Sequence, residues 1–292
     1  METVDLSVVV PVSDGCFRAG DALAAASRAL EGISAEVIVV DGSRDGSGEA
    51  VLRRSPLRFT RADGGANAAI LRARGVAESK GRIVALLEPW TLPTPDWARA
   101  LLEEHGKGTA DTVVGGPVVF DGPDGAVAWA EFFFEYGPFL PPFSGEVPEL
   151  AVNNVSYRAD LLHRVRPSWE KGFWKHFLHR ELREKGVRFR AAPDAVVRHA
   201  RPVPLNQFLR ERIDHGRAYA ARRGGSPARA LIAPLLPIVL TYRLTRRLRE
   251  KPETRPALRR ALPALVLAHG AWAWGEVQGH LAGDGGSSAR VF

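Results

Sequence analysis

Cysteine is all but missing from this sequence. Cys16 is the single one in 292 residues, which excludes an intrachain disulfide and any Cys-rich zinc site. The usual phosphate loops are missing too. No G-x-G-x-x-G follows the first apolar segment, and no G-x-x-x-x-G-K ending in Ser or Thr occurs anywhere. Neither a dinucleotide dehydrogenase nor a P-loop enzyme is therefore indicated. There is no H-E-x-x-H, and His176, His179 and Arg180 at helical spacing read as a polar helix face rather than a metal cluster. Met1 to Asp5 carry no basic region leading into an apolar one, so no signal peptide is expected and the default location is cytoplasmic. No recognised nucleic-acid motif is present, and no nucleic-acid partner is expected.

What is present is a folded-protein composition, 45% hydrophobic and 25% charged, with an uneven net charge of +7. Sixteen Lys and Arg fall between Arg198 and Arg260 against four acids, Glu211, Asp214, Glu250 and Glu253. The rest of the chain is slightly acidic. A near-neutral body joined to a basic segment suits an anionic surface such as a membrane leaflet or phosphate groups. The expected organisation is one domain over 1–200 and a basic, apolar helical region over 201–292.

Ile83 to Leu87 is a short apolar run without polar alternation, as expected of a central parallel strand buried on both faces. It ends at Glu88, and Pro89 stops the ladder. Ligands of open α/β sheets bind beyond the carboxyl ends of the strands, so Glu88 stands where a ligand, metal or phosphate is met. Leu6 to Val12 reads as a β-branched strand closing at Pro11 and the Asp14-Gly15 turn, Asp21 to Leu30 as a helix, and Glu36 to Val40 as a second strand ending at Asp41. Strand, helix and strand within about 40 residues make a βαβ unit with parallel strands. A helix over Gly65 to Ser79 then leads to Ile83. Asp41, in an Asp-Gly-Ser turn, reads by itself as a cap of its own turn. Trp129 to Phe143 is strongly aromatic, suited to core packing or to stacking on a sugar.

The succession Ser7-Val8-Val9-Val10-Pro11-Val12, Val39-Val40-Asp41-Gly42-Ser43, Gly65-Ala66-Asn67 and Gly81 through Glu88 resembles glycosyltransferase family 2. Val152-Asn153-Asn154-Val155 is similar to that family's acceptor-side segment. Pro193-Asp194-Ala195 through His199 is similar to its last strand and histidine. The resemblance spans about residues 5 to 220. It implies an α/β, GT-A fold: a Rossmann-like, mostly parallel central sheet flanked by helices, here with a C-terminal helical extension. It also implies transfer of a sugar from a nucleotide-sugar donor to an acceptor hydroxyl with inversion.

Carried over by position, Pro11, Val12, Asp41 and Asn67 line the nucleotide, with Arg210 and Arg217 beside the diphosphate. Asn153 and Asn154 face the acceptor, and Glu88 with His199 meets a metal. Pro89 and Trp90 stand where the family places further acidic residues, so a divalent cation, Mn²⁺ before Mg²⁺, is only weakly supported. Lys175 or Trp174 falls where the family carries its base, which leaves His176 and Glu170 as the candidate bases. A non-catalytic relative that binds a nucleotide sugar or glycan is the alternative.

Leu205 to Arg223 reads as a basic helix. Beyond it, Ala230 to Tyr242 and Ala261 to Gly275 are uncharged runs of 13 and 15 residues. Both fall short of the roughly 20 residues that cross a bilayer, and Arg clusters with Trp272 and Trp274 flank them. The pattern fits helices lying in the interface of an anionic membrane, peripheral on its cytoplasmic face. The expected partners are the donor, a glycan, lipid-linked or small-molecule acceptor, and that membrane surface.

Overall fold

The computed structural model describes residues 4–16, 18–46, 48, 58–62 and 64–291. Among these the strands are β1 Leu6–Val12, β2 Ala35–Asp41, β3 Arg58–Arg61, β4 Ile83–Leu86, β5 Thr91–Pro93, β6 Thr112–Gly115, β7 Val118–Phe120, β8 Gly145–Glu146, β9 Val155–Arg158, β10 Arg188–Ala191 and β11 Val197–His199. The α-helices are α1 Ala19–Ala29, α2 Ala68–Glu78, α3 Trp97–Lys107, α4 Ala126–Tyr136, α5 Ala159–Arg164, α6 Lys175–Glu184, α7 Leu205–Arg222, α8 Pro227–Ile232, α9 Leu236–Arg249 and α10 Arg255–Ala282. The chain divides into two compact units, Met1–Val119 with Phe139–His199, and Phe120–Pro138 with Ala200–Phe292.

The first unit is built on an eight-stranded sheet of order β3-β2-β1-β4-β9-β6-β10-β8. β1 pairs in parallel with β2 and β4, and β2 with β3. β9 runs antiparallel between β4 and β6, and β10 returns to the parallel direction beside β6. Every residue of β1 and β4 is buried, because both sheet faces are covered and neither can carry a solvated side chain. Pro11 does not end β1: Val12 still pairs with Asp41, and its carbonyl accepts a hydrogen bond from Gly42 N at 2.9 Å. α2 lies close on the sheet at Gly75, where a β-carbon would stand 2.3 Å from Val9 Cγ1. A second sheet, β5-β11-β7, pairs His199 with Thr91. The core beneath α2 and α6 includes Tyr157, Trp169, Phe173, Leu178 and Phe189.

The second unit is helical. α7 and α10 cross on glycines: a β-carbon at Gly275 would meet Ile213 O at 2.1 Å, and one at Gly279 would meet Arg217 O at 2.3 Å. Phe134 of α4 lies 4.9 Å from His269 and 6.0 Å from Phe208, centroid to centroid. Residues 120–138 therefore belong with this unit, not with the body to which the sequence reading assigned them. Their aromatic face supplies core that the thin helices α7 and α10 cannot supply alone.

Candidate active site

The sheet delivers its functional side chains at the carboxyl ends of β1, β2 and β4. Asp41, the last residue of β2, is 1% exposed, and its Oδ1 accepts from Ser43 N at 2.8 Å. This is the self-capped turn expected of Asp-Gly-Ser. Its second oxygen, Oδ2, has no hydrogen-bond partner among the described residues. The loops after β1 and β2 are laced together: Asp14 Oδ1 accepts from Arg44 N and Asp45 N, and Asp45 Oδ2 accepts from Gly15 N at 2.8 Å. Pro11 and Val12 are buried within β1, in register with Val40 and Asp41. Asn67 sits at the N-cap of α2, where its Oδ1 accepts from Ile70 N at 2.9 Å.

At the end of β4, Glu88 meets a partner that the sequence reading passed over. Arg72, on the buried face of α2, places Nη2 2.6 Å from Glu88 Oε1, with side-chain exposures of 8% and 14%. Arg72 Nε has no hydrogen-bond partner among the described residues. His199, assigned to a metal with Glu88, is buried in β11. No group of three His, Cys, Asp or Glu able to hold a metal occurs among the described residues. Among the described residues the donor set does not fit a divalent cation. Of the two strand-end carboxylates, Glu88 is already bound to a guanidinium, which would repel the ion, and Asp41 stands alone at the end of β2.

The expected acceptor pair separates into two roles. Asn154 is wholly buried and both ends of its amide are engaged: Nδ2 donates to Pro117 O at 3.0 Å and Ala195 O at 2.8 Å, and Oδ1 accepts from Trp97 Nε1 at 2.8 Å. It ties three segments together, and with no exposure and both amide hydrogens committed it does not face an acceptor, which corrects the expectation for this residue. Asn153 Nδ2 donates to Thr91 Oγ1 at 3.2 Å, while Oδ1 finds no partner among the described residues.

A buried polar cluster forms where the base was sought. His179 is completely buried; its Nδ1 lies 2.5 Å from Glu149 Oε1 and its Nε2 2.6 Å from the Tyr157 hydroxyl. Burial pushes the imidazole down to about 4, so it is neutral near pH 7. A neutral ring has one N–H; the carboxylate can only accept, so Nδ1 donates to Glu149 and Nε2 accepts from Tyr157. His179 is thus a core residue, not part of a solvated face. Lys175 Nζ lies 3.4 Å from Glu149 Oε1 and donates to Leu150 O at 3.1 Å. Burial lowers the lysine, against the pull of Glu149. For Glu149, burial opposes the charge. The hydrogen bond from His179 and the charge of Lys175 outweigh it and hold the carboxyl well below its usual range.

His176 is exposed in the first turn of α6, and the neighbouring Lys175 charge, followed by desolvation, lowers its pKa. The ring itself remains open to solvent. Glu170 is also exposed and bonds Arg166 at 3.1 Å. Arg210 and Arg217 belong to α7 of the second unit. Arg210 is exposed, and Arg217 Nε donates to Gly283 O at 2.9 Å, fastening the C-terminal turn. Arg72, Glu149 and Tyr157 were the residues missed. A lone arginine on the apolar face of α2 was a legible signal, whereas Glu149 meets its partners from 26 and 30 residues away.

No curated protein sequence matches the chain. Among solved structures, that of GalNAc-T7 with UDP, GalNAc and Mn²⁺ aligns with a TM-score of 0.50 at 13% identity, over 69% of this chain and 45% of that one. The chain thus spans less than half the length of that protein, and the likeness is one of fold: a GT-A sheet with flanking helices. The sequence pattern described as Glycosyl transferase family 2 matches residues 7–169, more than half of the chain, and the chain belongs to glycosyltransferase family 2.

Proposed function

We propose that the protein is an inverting glycosyltransferase that moves a sugar, a hexose in kind, from a nucleotide-sugar donor to an acceptor hydroxyl. The observation that carries this reading is Arg72, a buried guanidinium held by Glu88 at the carboxyl end of β4. A departing nucleoside diphosphate gathers negative charge, and a fixed cation in a water-poor site stabilises it. In the reaction the acceptor oxygen attacks the anomeric carbon on the side opposite the diphosphate. The bond from that carbon to the diphosphate oxygen breaks, and the acceptor proton passes to a base.

His176 is given that role because it is exposed in the first turn of α6 and neutral near pH 7. Glu149 is ionised, but it is already engaged by His179 and Lys175, whereas His176 faces solvent. The unmatched Asp41 Oδ2 suits a donor ribose hydroxyl or base N–H. The UDP of the structural neighbour makes uridine diphosphate sugars the first donors to try. Its Mn²⁺ finds no fitting donor set among the described residues, so charge stabilisation is assigned to Arg72. The acceptor is a glycan, a lipid-linked sugar or a small molecule. The site of action is the cytoplasmic face of a membrane, a placement supported by the basic and apolar character of the second unit.

A second reading, a non-catalytic protein that binds a nucleotide sugar or glycan, draws on Lys175, an ammonium buried where a proton acceptor is needed. A screen of nucleotide sugars by thermal shift and hydrolysis, in EDTA and with Mn²⁺, separates the possibilities. A donor that binds and turns over in EDTA is expected. Folded Arg72→Met should bind that donor roughly ten- to a hundredfold more weakly. Binding without turnover favours the second reading. Activity lost in EDTA and restored by Mn²⁺ returns the charge-stabilising role to a metal at Glu88.

A further inference from the structure

The second unit carries an apolar surface that nothing in its own fold covers. Apart from Ile70, every exposed large hydrophobic side chain among the described residues lies between Leu231 and Leu281. Leu231, Leu235, Ile238 and Tyr242 follow one another at helical spacing through α8, the 3-10 turn Ala233–Leu235 and α9, and are 83%, 57%, 71% and 60% exposed. Leu267 and Trp274 are also exposed, on α10, seven residues apart and so on one face. The opposite side of the same hairpin is small and polar. Ala230 and Ala233 are buried, and Thr241 Oγ1 meets His269 Nδ1 at 2.8 Å. Exposed arginines cluster where α9 ends and α10 begins, at Arg243, Arg246, Arg247, Arg249, Arg255 and Arg259. An exposed apolar face running through four successive helical positions marks a binding surface.

We infer that this face lies in the interface of an anionic lipid leaflet, its leucines and Ile238 in the acyl boundary and its arginines among the headgroup phosphates. The inference rests on the membrane placement proposed above and deepens it; the chemistry of the first unit does not enter. Charge selects this occupant. A second copy of the chain would bring a like-charged arginine cluster, whereas phosphates complement it.

Length selects the depth. Pro227–Arg249 is long and apolar enough to cross a membrane by length and composition, with a mean hydropathy of 1.3. Its uncharged part, however, is the 13 residues Ala230 to Tyr242. At about 1.5 Å per residue these extend roughly 20 Å, against a hydrocarbon core of about 30 Å. Arg243 and Arg246 would have to enter that core for the helix to cross. A helix lying in the plane with its arginines at the phosphates has no such cost.

The test uses the full-length protein with phosphatidylcholine vesicles, with and without phosphatidylglycerol, read by flotation. Binding to the phosphatidylglycerol vesicles is expected, weakened by salt and released by alkaline carbonate. Leu235→Asp and Ile238→Asp change exposed positions, so the far-UV spectrum should be retained while partitioning falls about tenfold for each. Gln at Arg246, Arg247 and Arg249 should remove the preference for anionic lipid. Protein that stays in solution with both vesicles at low salt overturns the inference. So does retention in carbonate, which would mean a span. A lipid-indifferent dimer that Leu235→Asp splits into monomers would give the face to a second copy and overturn it as well. Thermal shift with donor nucleotide reports on the first unit independently, so failure of the two proposals can be told apart.

Discussion

At the centre of its cluster, His179 accepts from the Tyr157 hydroxyl and donates to Glu149, with no exposure to solvent. The ring's pKa is lowered from 6.5 to about 4, chiefly by burial. Below 6.5 the unfolded chain therefore takes up a proton that the folded chain refuses. The stabilisation is complete above 6.5 and is lost as the pH falls toward 4, at up to about 1.4 kcal/mol per pH unit. Glu149, also depressed, acts in the same direction at lower pH, because its charged form is the one the fold holds. His105, lowered to about 3 mainly by burial, adds a parallel loss. The urea midpoint should fall between about pH 7 and about pH 4.5, and His179→Gln should flatten that dependence by about one proton. A wild-type midpoint that is level across the range would rule out a buried neutral imidazole. The positions of Asp41 and Glu88 were legible in the sequence because each ends an unbroken apolar strand. Their surroundings were not: the pairing of Glu88 with Arg72 joins two elements, and only the packing of α2 on the sheet sets it.

Elements were easier to read than residues, for a reason visible in β1, β4 and α2. Period and punctuation act locally, so unbroken β-branched runs and Gly boundaries locate strands and helices without knowledge of neighbours. The turn from four parallel strands to antiparallel β9 depends on which edge is free, and no local pattern records that. The α7–α10 crossing shows the same limit. Gly275 and Gly279 read as weak points in a helix, costing up to about 1 kcal/mol each against Ala. The structure makes them contact points, with a β-carbon at Gly275 standing 2.1 Å from Ile213 O. Propensity favours Gly275→Ala and sterics oppose it. At 2.1 Å from backbone the helices must part, and overpacking of about 1–3 kcal/mol exceeds the gain. Gly270 lies on the same helix with nothing within 4 Å of its would-be β-carbon, so Gly270→Ala should gain up to about 1 kcal/mol. Chemical denaturation of the two variants should move in opposite directions. A Gly275→Ala protein as stable as Gly270→Ala would mean that the helices do not touch there.

On the scale of the whole molecule, the division of the chain is not a cut at one point. Sequence composition changes near residue 200, where acidic body gives way to basic helix, and a boundary there follows from composition alone. The second unit nevertheless takes in Phe120–Pro138, an excursion from the middle of the first. What holds that excursion is contributed by the C-terminal residues. Glu135 pairs with buried Arg212, Glu131 lies 3.8 Å from Arg201, and Phe134 is enclosed by Phe208, His269 and Trp272. A chain ending at His199 would keep α4 and lose all of these partners. Phe132, Phe133 and Phe134 carry far more apolar surface than an 11-residue helix can shield by itself, at roughly 1.5–3 kcal/mol for each side chain fully buried. Glu131 would also lose the cation that accompanies it in the core. The 1–199 fragment should therefore aggregate, or bind 8-anilinonaphthalene-1-sulfonate strongly, despite retaining the whole eight-stranded sheet. Adding a deletion of residues 121–137, bridged by a short glycine-serine linker, should recover solubility, because the excursion leaves with its unit. The measurements are soluble yield, dye binding and cooperativity of urea unfolding in the two fragments. A monomeric 1–199 chain that unfolds cooperatively and ignores the dye would show that α4 does not depend on the C-terminal helices.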